Sequence, residues 1–396
     1  MRSTLVSNNK FSKLNITPKL LLGAGPSNPN PEVLEAMTQP VVGHLDPTFL
    51  GIMDDVHEML KFAFQTSNPM TLPLSGTGTA GMESCILNVV EPGDTVLGIE
   101  NGYFGHRMIE VAKRSRANII PLAFEWGKPV ELEVIEEALK NNPSINVVLA
   151  VHAETSTGVL NPIKDIADLA HKYDSLIVAD TVTSLGGVDL QIDNWNIDLS
   201  YSVTQKCLGC PPGLAPVTAN QASIEKIERR SVPPNTWYYD LLLLQKTYWG
   251  ATQRTYHHTA PITMIYGLRE GLRLLVEEGI EERIQKHTDN CNTLRKGLEI
   301  MGLEMLVPEG NNVSSLTTVK IPEKINDQQL RSSLLTNHNI EISAGLGTLS
   351  GQVWRIGLMG ENSKRENVFR FLEALEIELK AQGMNVSAKE AINQLG

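Results

Sequence analysis

Between residues 71 and 218, seven short apolar runs alternate with stretches whose apolar residues recur at helical spacing. No other feature restricts the fold as much. The runs cover 71–74, 95–99, 118–122, 146–151, 175–179, 199–203 and 214–218, and helices are expected over 79–90, 105–115, 131–140 and 162–172. Strands that alternate with helices pair in parallel, because the crossover between parallel neighbours needs about a helix's length of chain. Such a sheet is covered on both faces. That explains why Leu176-Ile177-Val178-Ala179 is continuously apolar rather than alternating. The expected class is α/β with a largely parallel sheet.

Upstream, apolar spacing predicts helices from Pro31 to Met37 and from Pro47 to Phe64, the latter through Ile52, Val56, Met59, Leu60 and Phe64. After Pro234 the pattern changes. Residues 237–247 read as helical, and a long amphipathic region runs from Pro261 to about Met301, with Ile265, Leu268, Leu272, Leu275 and Val276 on one face. A smaller alternating unit follows: a strand at 315–320, a helix at 326–336, short strands near 340 and at 352–357, and a helix at 363–381. The expected division is an extended N-terminal arm (1–20), a large domain (21–285), a small C-terminal domain (286–382) and a frayed tail (383–396).

A chain of 396 residues, 41% hydrophobic, builds a core that needs no disulfide or metal staple. Its net charge of −11 argues against a nucleic-acid partner. No stretch approaches the roughly 20 apolar residues of a membrane span. Four cysteines in a chain this long point to a reducing compartment. Cys207 and Cys210 form a C-x-x-C without a second pair, and Pro211-Pro212-Gly213 after them reads as a loop rather than a zinc knuckle. No secretory apolar segment is present at the N-terminus. Residues 1–31 contain no acid but only one arginine, Arg2, which is poor material for a transit peptide. Asn393-Gln394-Leu395-Gly396 is not a peroxisomal address. A cytoplasmic location is expected.

The chemistry-bearing residues fall at the ends of the predicted strands, where open α/β sheets bind their ligands. The run at 176–179 stops at a carboxylate, Asp180, and the run at 199–203 is followed closely by Lys206. An acid and a lysine so placed are two parts that pyridoxal phosphate requires. The amine condenses with the cofactor aldehyde as a Schiff base, and the carboxylate keeps the pyridine nitrogen protonated so that the ring accepts electrons. Taken singly, Asp180 is equally a turn or cap former, and Lys206 a surface charge.

Ser75-Gly76-Thr77-Gly78-Thr79-Ala80-Gly81 lies between a strand and a helix, where small residues let backbone N–H groups approach a phosphate at the helix N-terminus. Gly76, Gly78 and Gly81 also match the G-x-G-x-x-G of dinucleotide-binding dehydrogenases, with Glu100 where the ribose acid belongs. That reading leaves Asp180 and Lys206 idle. Phe104, in Asn101-Gly102-Tyr103-Phe104-Gly105, can stack on a flat ring or pack in the core. His152-Ala153-Glu154-Thr155-Ser156-Thr157-Gly158 leaves another strand end rich in hydroxyls. Arg355, amid Val353-Trp354-Arg355-Ile356-Gly357-Leu358, must find a partner: a substrate carboxylate or a structural ion pair. Adjacent His257 and His258 point apart in regular structure and make a poor metal motif.

Together these motifs resemble the class V pyridoxal-phosphate aminotransferases, and most of all their alanine–glyoxylate (serine–pyruvate) branch. The likeness runs from about Pro18 to Leu379 and rests also on Gly23-Ala24-Gly25-Pro26-Ser27-Asn28, Glu91-Pro92-Gly93-Asp94, Ser184-Leu185-Gly186-Gly187, Gln205-Lys206 and Tyr256-His257-His258-Thr259. The resemblance implies the aspartate-aminotransferase-like fold (fold type I), with a mostly parallel seven-stranded sheet in the large domain and a smaller C-terminal α/β domain. It implies Lys206 bonded to pyridoxal 5'-phosphate, Asp180 on the ring nitrogen, and Val182 and Phe104 on the two ring faces. Thr77, Gly78, Thr79 and Gln205 would hold the phosphate, Thr155 would contact the ring oxygen, and Arg355 would take the substrate carboxylate with backbone near Gly25. Tyr256 and Thr259 would reach the phosphate of a neighbouring subunit in a homodimer, with the N-terminal arm across the partner. The implied reaction is amino transfer from alanine or serine to glyoxylate or pyruvate. Serine–glyoxylate, ureidoglycine–glyoxylate and aminoethylphosphonate specificities stand as alternatives; a cysteine desulfurase-like lyase is a further one, but it needs a mobile cysteine as sulfur acceptor and Cys291 lies in a helical pattern. Phe104 replaces the tryptophan usual in the mammalian-type enzymes, Thr79 a histidine, and Ala24 a proline.

Overall fold

A computed structural model describes residues 12–250 and 253–395. The arm expected over 1–20 lies mostly outside them; residues 12–19 have no regular structure, and β1 (Leu20–Leu21) follows. Next come α1 (Pro31–Ala36) and α2 (Pro47–Phe64). α2 starts where the sequence allows: Pro47 fixes the first helical φ, and the Asp46 side chain accepts from the Thr48 N–H at 2.8 Å.

The alternating region then runs β2 (Met70–Ser75), α3 (Gly78–Val89), β3 (Thr95–Glu100), α4 (Tyr103–Arg114), β4 (Asn118–Ala123), α5 (Leu132–Asn141) and β5 (Ile145–Val151). A small hairpin of β6 (Ala153–Glu154) and β7 (Val159–Leu160) leads to α6 (Ile163–Lys172), β8 (Leu176–Asp180), β9 (Leu199–Tyr201) and β10 (Leu214–Ala219). All seven apolar runs are strands of one sheet, ordered β2-β10-β9-β8-β5-β3-β4. Only β10 runs against its neighbours. Parallel register sets Val151 beside Asp180 and Asp180 beside Tyr201, so the carboxyl ends of β5, β8 and β9 share one rim.

Three later segments differ from the sequence expectation. An unpredicted helix, α7 (Gln221–Glu228), follows β10, capped by Asn220, which accepts from the Ser223 N–H at 2.9 Å. The helix expected over 237–247 begins only at α8 (Leu241–Leu244), behind its cap Asp240, and runs on as a π turn through Gln245–Trp249. The long amphipathic region is two helices, α9 (Ile262–Glu278) and α10 (Ile280–Ile300), parted at Gly279 with φ 89°. A glycine there admits the positive φ that stops the first helix.

The remainder comprises β11 (Leu316–Lys320), α11 (Asp327–His338), β12 (Ile340–Glu341), β13 (Ser343–Ala344), β14 (Val353–Gly357), α12 (Arg365–Ala381) and α13 (Ala388–Leu395). α13 corrects the expected frayed tail: Ala388 and Ala391 are fully buried against α10 and α12, and Glu376 caps the Ala388 N–H at 2.9 Å. Two large apolar cores result. One joins α1, α2 and α9 to the sheet and its helices; the other joins Leu20 and Leu22 to α10–α13 and β14. β1 pairs in parallel with β12, which builds Leu20 and Leu22 into the second core. No described helix is long and apolar enough to cross a membrane.

Candidate active site

Asp180 ends β8 with its carboxylate 2% exposed. Oδ1 accepts from the Val182 N–H at 2.9 Å and Oδ2 from the Tyr201 hydroxyl at 2.6 Å. Burial pushes its pKa up to about 6 against the opposing effect of that hydroxyl. Lys206, 8% exposed, lies in the loop after β9. Burial, with Arg355 as the next cause, lowers its pKa to about 8. Asp180 and Lys206 are each also a minor cause of the other's shift, so the acid and the amine lie near one another.

A segment distant in sequence forms the chamber wall. Lys206 Nζ donates to the Ala24 carbonyl. Ser27 holds the same loop, its hydroxyl donating to the Lys206 carbonyl at 2.9 Å and its N–H to the Gln205 carbonyl at 2.9 Å. Gly25 has φ 104°, and a Cβ there would stand 2.7 Å from Lys206 Cε. Only glycine leaves room for the lysine stem.

The glycine-rich loop is the head of α3. Thr77 is its cap residue but makes no side-chain capping bond; its carbonyl takes the Ala80 N–H at 2.8 Å, which leaves the N–H groups of Gly78 and Thr79 to an anion. Thr77 and Thr79 are exposed, and Gly78 faces Val203 and Val182, 3.4 and 3.6 Å from where its Cβ would lie. Gln205 Oε1 is buried without a partner. β2, which precedes the loop, is an edge strand, whereas the dinucleotide fingerprint follows a strand at the point where strand order reverses.

Phe104 sits in the first turn of α4, packed with Val182 against the large core. Its position is set by Glu154, a fully buried carboxylate. Glu154 Oε2 accepts from the N–H groups of Phe104 and Gly105, both at 3.1 Å, and Oε1 from the Ser156 N–H and hydroxyl at 3.0 and 2.7 Å. Burial nevertheless raises its pKa. Glu154→Gln turns an NH₂ group toward one of these donor pairs. It is expected to destabilise the protein by about 1–3 kcal/mol in urea unfolding; a loss below about 0.5 kcal/mol would remove Glu154 as the anchor.

Arg355, from the middle of β14, reaches this rim from the second core. Its Nε donates to the Ala344 carbonyl at 2.8 Å and Nη1 to the Thr155 carbonyl at 3.1 Å. No carboxylate pairs with it among the described residues, and burial lowers its pKa to about 10, with Glu154 opposing. The structural ion pair that the sequence left open is therefore absent among these residues. A buried guanidinium bonded only to neutral carbonyls is poised for an anionic ligand. Thr155 is buried beside it, its hydroxyl bonded to that of Thr183 at 2.6 Å.

Lys206, Asp180, Thr155, Gln205, Val182, Phe104, Gly25, Arg355 and the loop of Thr77, Gly78 and Thr79 thus gather about one rim. Tyr256 is 62% exposed, with its ring edge-on to that of His44 at 5.2 Å, and Thr259 is exposed. Their neighbour His258 accepts or donates to the Ser75 hydroxyl at 2.7 Å, which ties the segment to the end of β2. Sequence reasoning missed the Tyr201 hydroxyl, the anchoring role of Glu154 and the Ser27 clamp. Cys291 is held in α10 as its helical spacing predicts, buried with its thiol 3.7 Å from the Thr317 hydroxyl, which does not suit a mobile sulfur acceptor. Cys207 and Cys210 turn their thiols toward different backbone carbonyls, those of Thr183 and of Leu208 and Gly267.

The comparisons agree with this geometry. Residues 20–371 match the family Aminotransferase class-V. The chain is 38% identical to the (S)-ureidoglycine–glyoxylate transaminase of Bacillus subtilis (strain 168), covering 94% of each protein. It is 39% identical to the alanine–glyoxylate aminotransferase of Mus musculus, over 91% of this chain and 88% of that one. The crystal structure of an alanine–glyoxylate aminotransferase from Nostoc sp. superimposes with a TM-score of 0.92 at 44% identity, over 95% of this chain and 100% of that one. With a catalytic rim of this composition and relatives of this closeness, the chain belongs to the class V aminotransferases, a pyridoxal-phosphate-dependent family.

Proposed function

We propose that this enzyme moves the amino group of a small amino acid, alanine or serine, to glyoxylate or pyruvate, with pyridoxal 5'-phosphate held by Lys206. One observation carries the reading. A buried carboxylate ends β8, a buried amine follows the adjacent strand β9, and a guanidinium without a carboxylate partner among the described residues reaches the Thr155 carbonyl. The residues fit the cofactor: the uncapped head of α3 suits a phosphate, and the buried carboxylate at the end of β8 suits a protonated ring nitrogen. When bound, its protonated ring withdraws electrons from the substrate α-carbon.

The protein's own groups supply the rest. Lys206 Nζ, with its pKa lowered to about 8, has a far larger neutral fraction near physiological pH than an ordinary lysine, and that neutral amine can accept the α-proton. Asp180 would pair with the ring nitrogen and keep it protonated. Thr77, Gly78, Thr79 and Gln205 would hold the phosphate, Phe104 and Val182 would flank the ring, and Thr155 would bond its oxygen. Arg355 orients the substrate carboxylate, aided by backbone at Gly25. Tyr256 and Thr259, exposed in the single chain, serve the phosphate site of a second copy, which makes the active form a homodimer. We further propose a large domain (21–285) and a small one (286–382), a division supported by the two apolar cores except that Leu22 packs in the second, and a cytoplasmic location, in keeping with four unpaired cysteines.

The Bacillus subtilis relative supports a second donor, ureidoglycine. A panel of alanine, serine, ureidoglycine and aminoethylphosphonate, each against glyoxylate and pyruvate, tests the reading. The highest kcat/KM is expected with alanine or serine and glyoxylate. Preference for either of the other donors would replace the proposed specificity, and sulfide release from cysteine in place of amino transfer would reject the reaction class.

A further inference from the structure

The side chains assigned above to the phosphate are all uncharged: Thr77, Thr79 and Gln205 offer dipoles and Gly78 only its backbone. A phosphate monoester carries about −1.5 to −2 charges near neutral pH, and the head of α3 returns only about half a unit. His258, tied to the neighbouring Ser75, is kept neutral by burial, its pKa lowered to about 4. Lys206 and Arg355 are committed elsewhere in the chamber. The charge balance therefore lacks a cation on this side of the site.

Arg107 stands at that place. It projects from the first turns of α4 and donates through Nη1 to the Thr79 hydroxyl at 3.4 Å. Its guanidinium lies over the rings of Tyr103 and Phe104, 5.0 and 5.1 Å from their centroids. Among the described residues it has no carboxylate partner, whereas Lys113 and Arg114 on the same helix both pair with Glu110. Two aromatic faces restrain the cation while leaving its N–H groups available for an anion at the loop.

We propose that Arg107 is the counter-charge of the cofactor phosphate, bonding it alongside Thr79. This inference rests on the cofactor reading above. It assigns Arg107 to the phosphate and not to the ring, although its guanidinium touches Phe104.

The test compares two ligands that differ only in the phosphate. Full-length wild-type, Arg107→Gln and Arg107→Lys proteins, freed of cofactor by amino donor and dialysis, are titrated with pyridoxal phosphate and with pyridoxal by absorbance. Arg107→Gln is expected to weaken pyridoxal phosphate about 10- to 100-fold, as loss of a charge-assisted bond does, and to leave pyridoxal within about twofold. Arg107→Lys should fall between. Added salt should weaken the wild type more than the Gln variant. Equal weakening of both ligands would overturn the proposal and make Arg107 a support for Phe104. Unchanged affinity for both would overturn it outright. A wild-type protein that binds neither ligand would reject the cofactor reading itself, and the inference with it.

Discussion

Lys206→Ala is expected to abolish amino transfer, lowering turnover at least about 10⁴-fold in a coupled assay of keto-acid formation. The size follows from what surrounds the amine. Asp180 is committed to Val182 and Tyr201, and Arg355 cannot accept a proton. No other base in the chamber can take over. The same variant has a pH signature in cofactor-free protein. Lys206 titrates near 8 when folded and near 10.5 when unfolded, so the folded state binds fewer protons between those values. Wild-type stability therefore rises with pH from about 8 to 10.5, and the cost of burying the charge is fully present below 8. Lys206→Ala should lack that slope in urea unfolding. Appreciable turnover by the variant would remove Lys206 as the base.

Asp180→Asn should lower turnover by about 10²- to 10³-fold while leaving the fold intact, since Asn still accepts from the Val182 N–H and its NH₂ can donate to the Tyr201 oxygen. The variant keeps Lys206 but loses the charge that holds a ring nitrogen protonated. It also removes an anion that raises the lysine's pKa. Capture of pyridoxal phosphate by cofactor-free protein, followed by borohydride fixation across pH, should show a midpoint near 8 in the wild type and a lower one in the variant. The acid has its own window. Its folded pKa of about 6 exceeds the unfolded 3.8, so wild-type cofactor-free protein loses stability as pH rises between those values, and the Asn variant does not. An unchanged turnover would show that the carboxylate serves the fold and not the reaction.

The sheet was legible because its strands, the half-exposed edge strand β4 apart, are largely buried and are bounded by turn residues, so every run from Met70 to Ala219 announced itself. Direction was not legible. Nothing in Leu214–Ala219 distinguishes an antiparallel neighbour from a parallel one. Gly279 was overlooked because the apolar stripes of α9 and α10 continue each other across it. The last helix was missed although Ala388, Ala391, Ile392 and Leu395 keep helical spacing, because two alanines look weakly apolar until they are seen packed. At the site, side chains that bear chemistry at strand ends could be read. The residues that hold them could not, since Glu154 on Phe104 and Ser27 on Lys206 join segments far apart in sequence.

The pairing of Leu20–Leu21 with Ile340–Glu341 imposes an order on biosynthesis. Asn362, which binds the Leu21 carbonyl at 2.7 Å, is made 341 positions later. At about 5–20 residues per second, those leucines leave the ribosome roughly 20–70 s before the groups that cover them exist. For that interval three adjacent leucines lack their cover, and the Ala24–Ser27 clamp beside them waits for Lys206. Nascent chains halted before residue 340 should therefore retain an open, sticky edge that trigger-type chaperones can grip, even when the seven-stranded sheet is already complete.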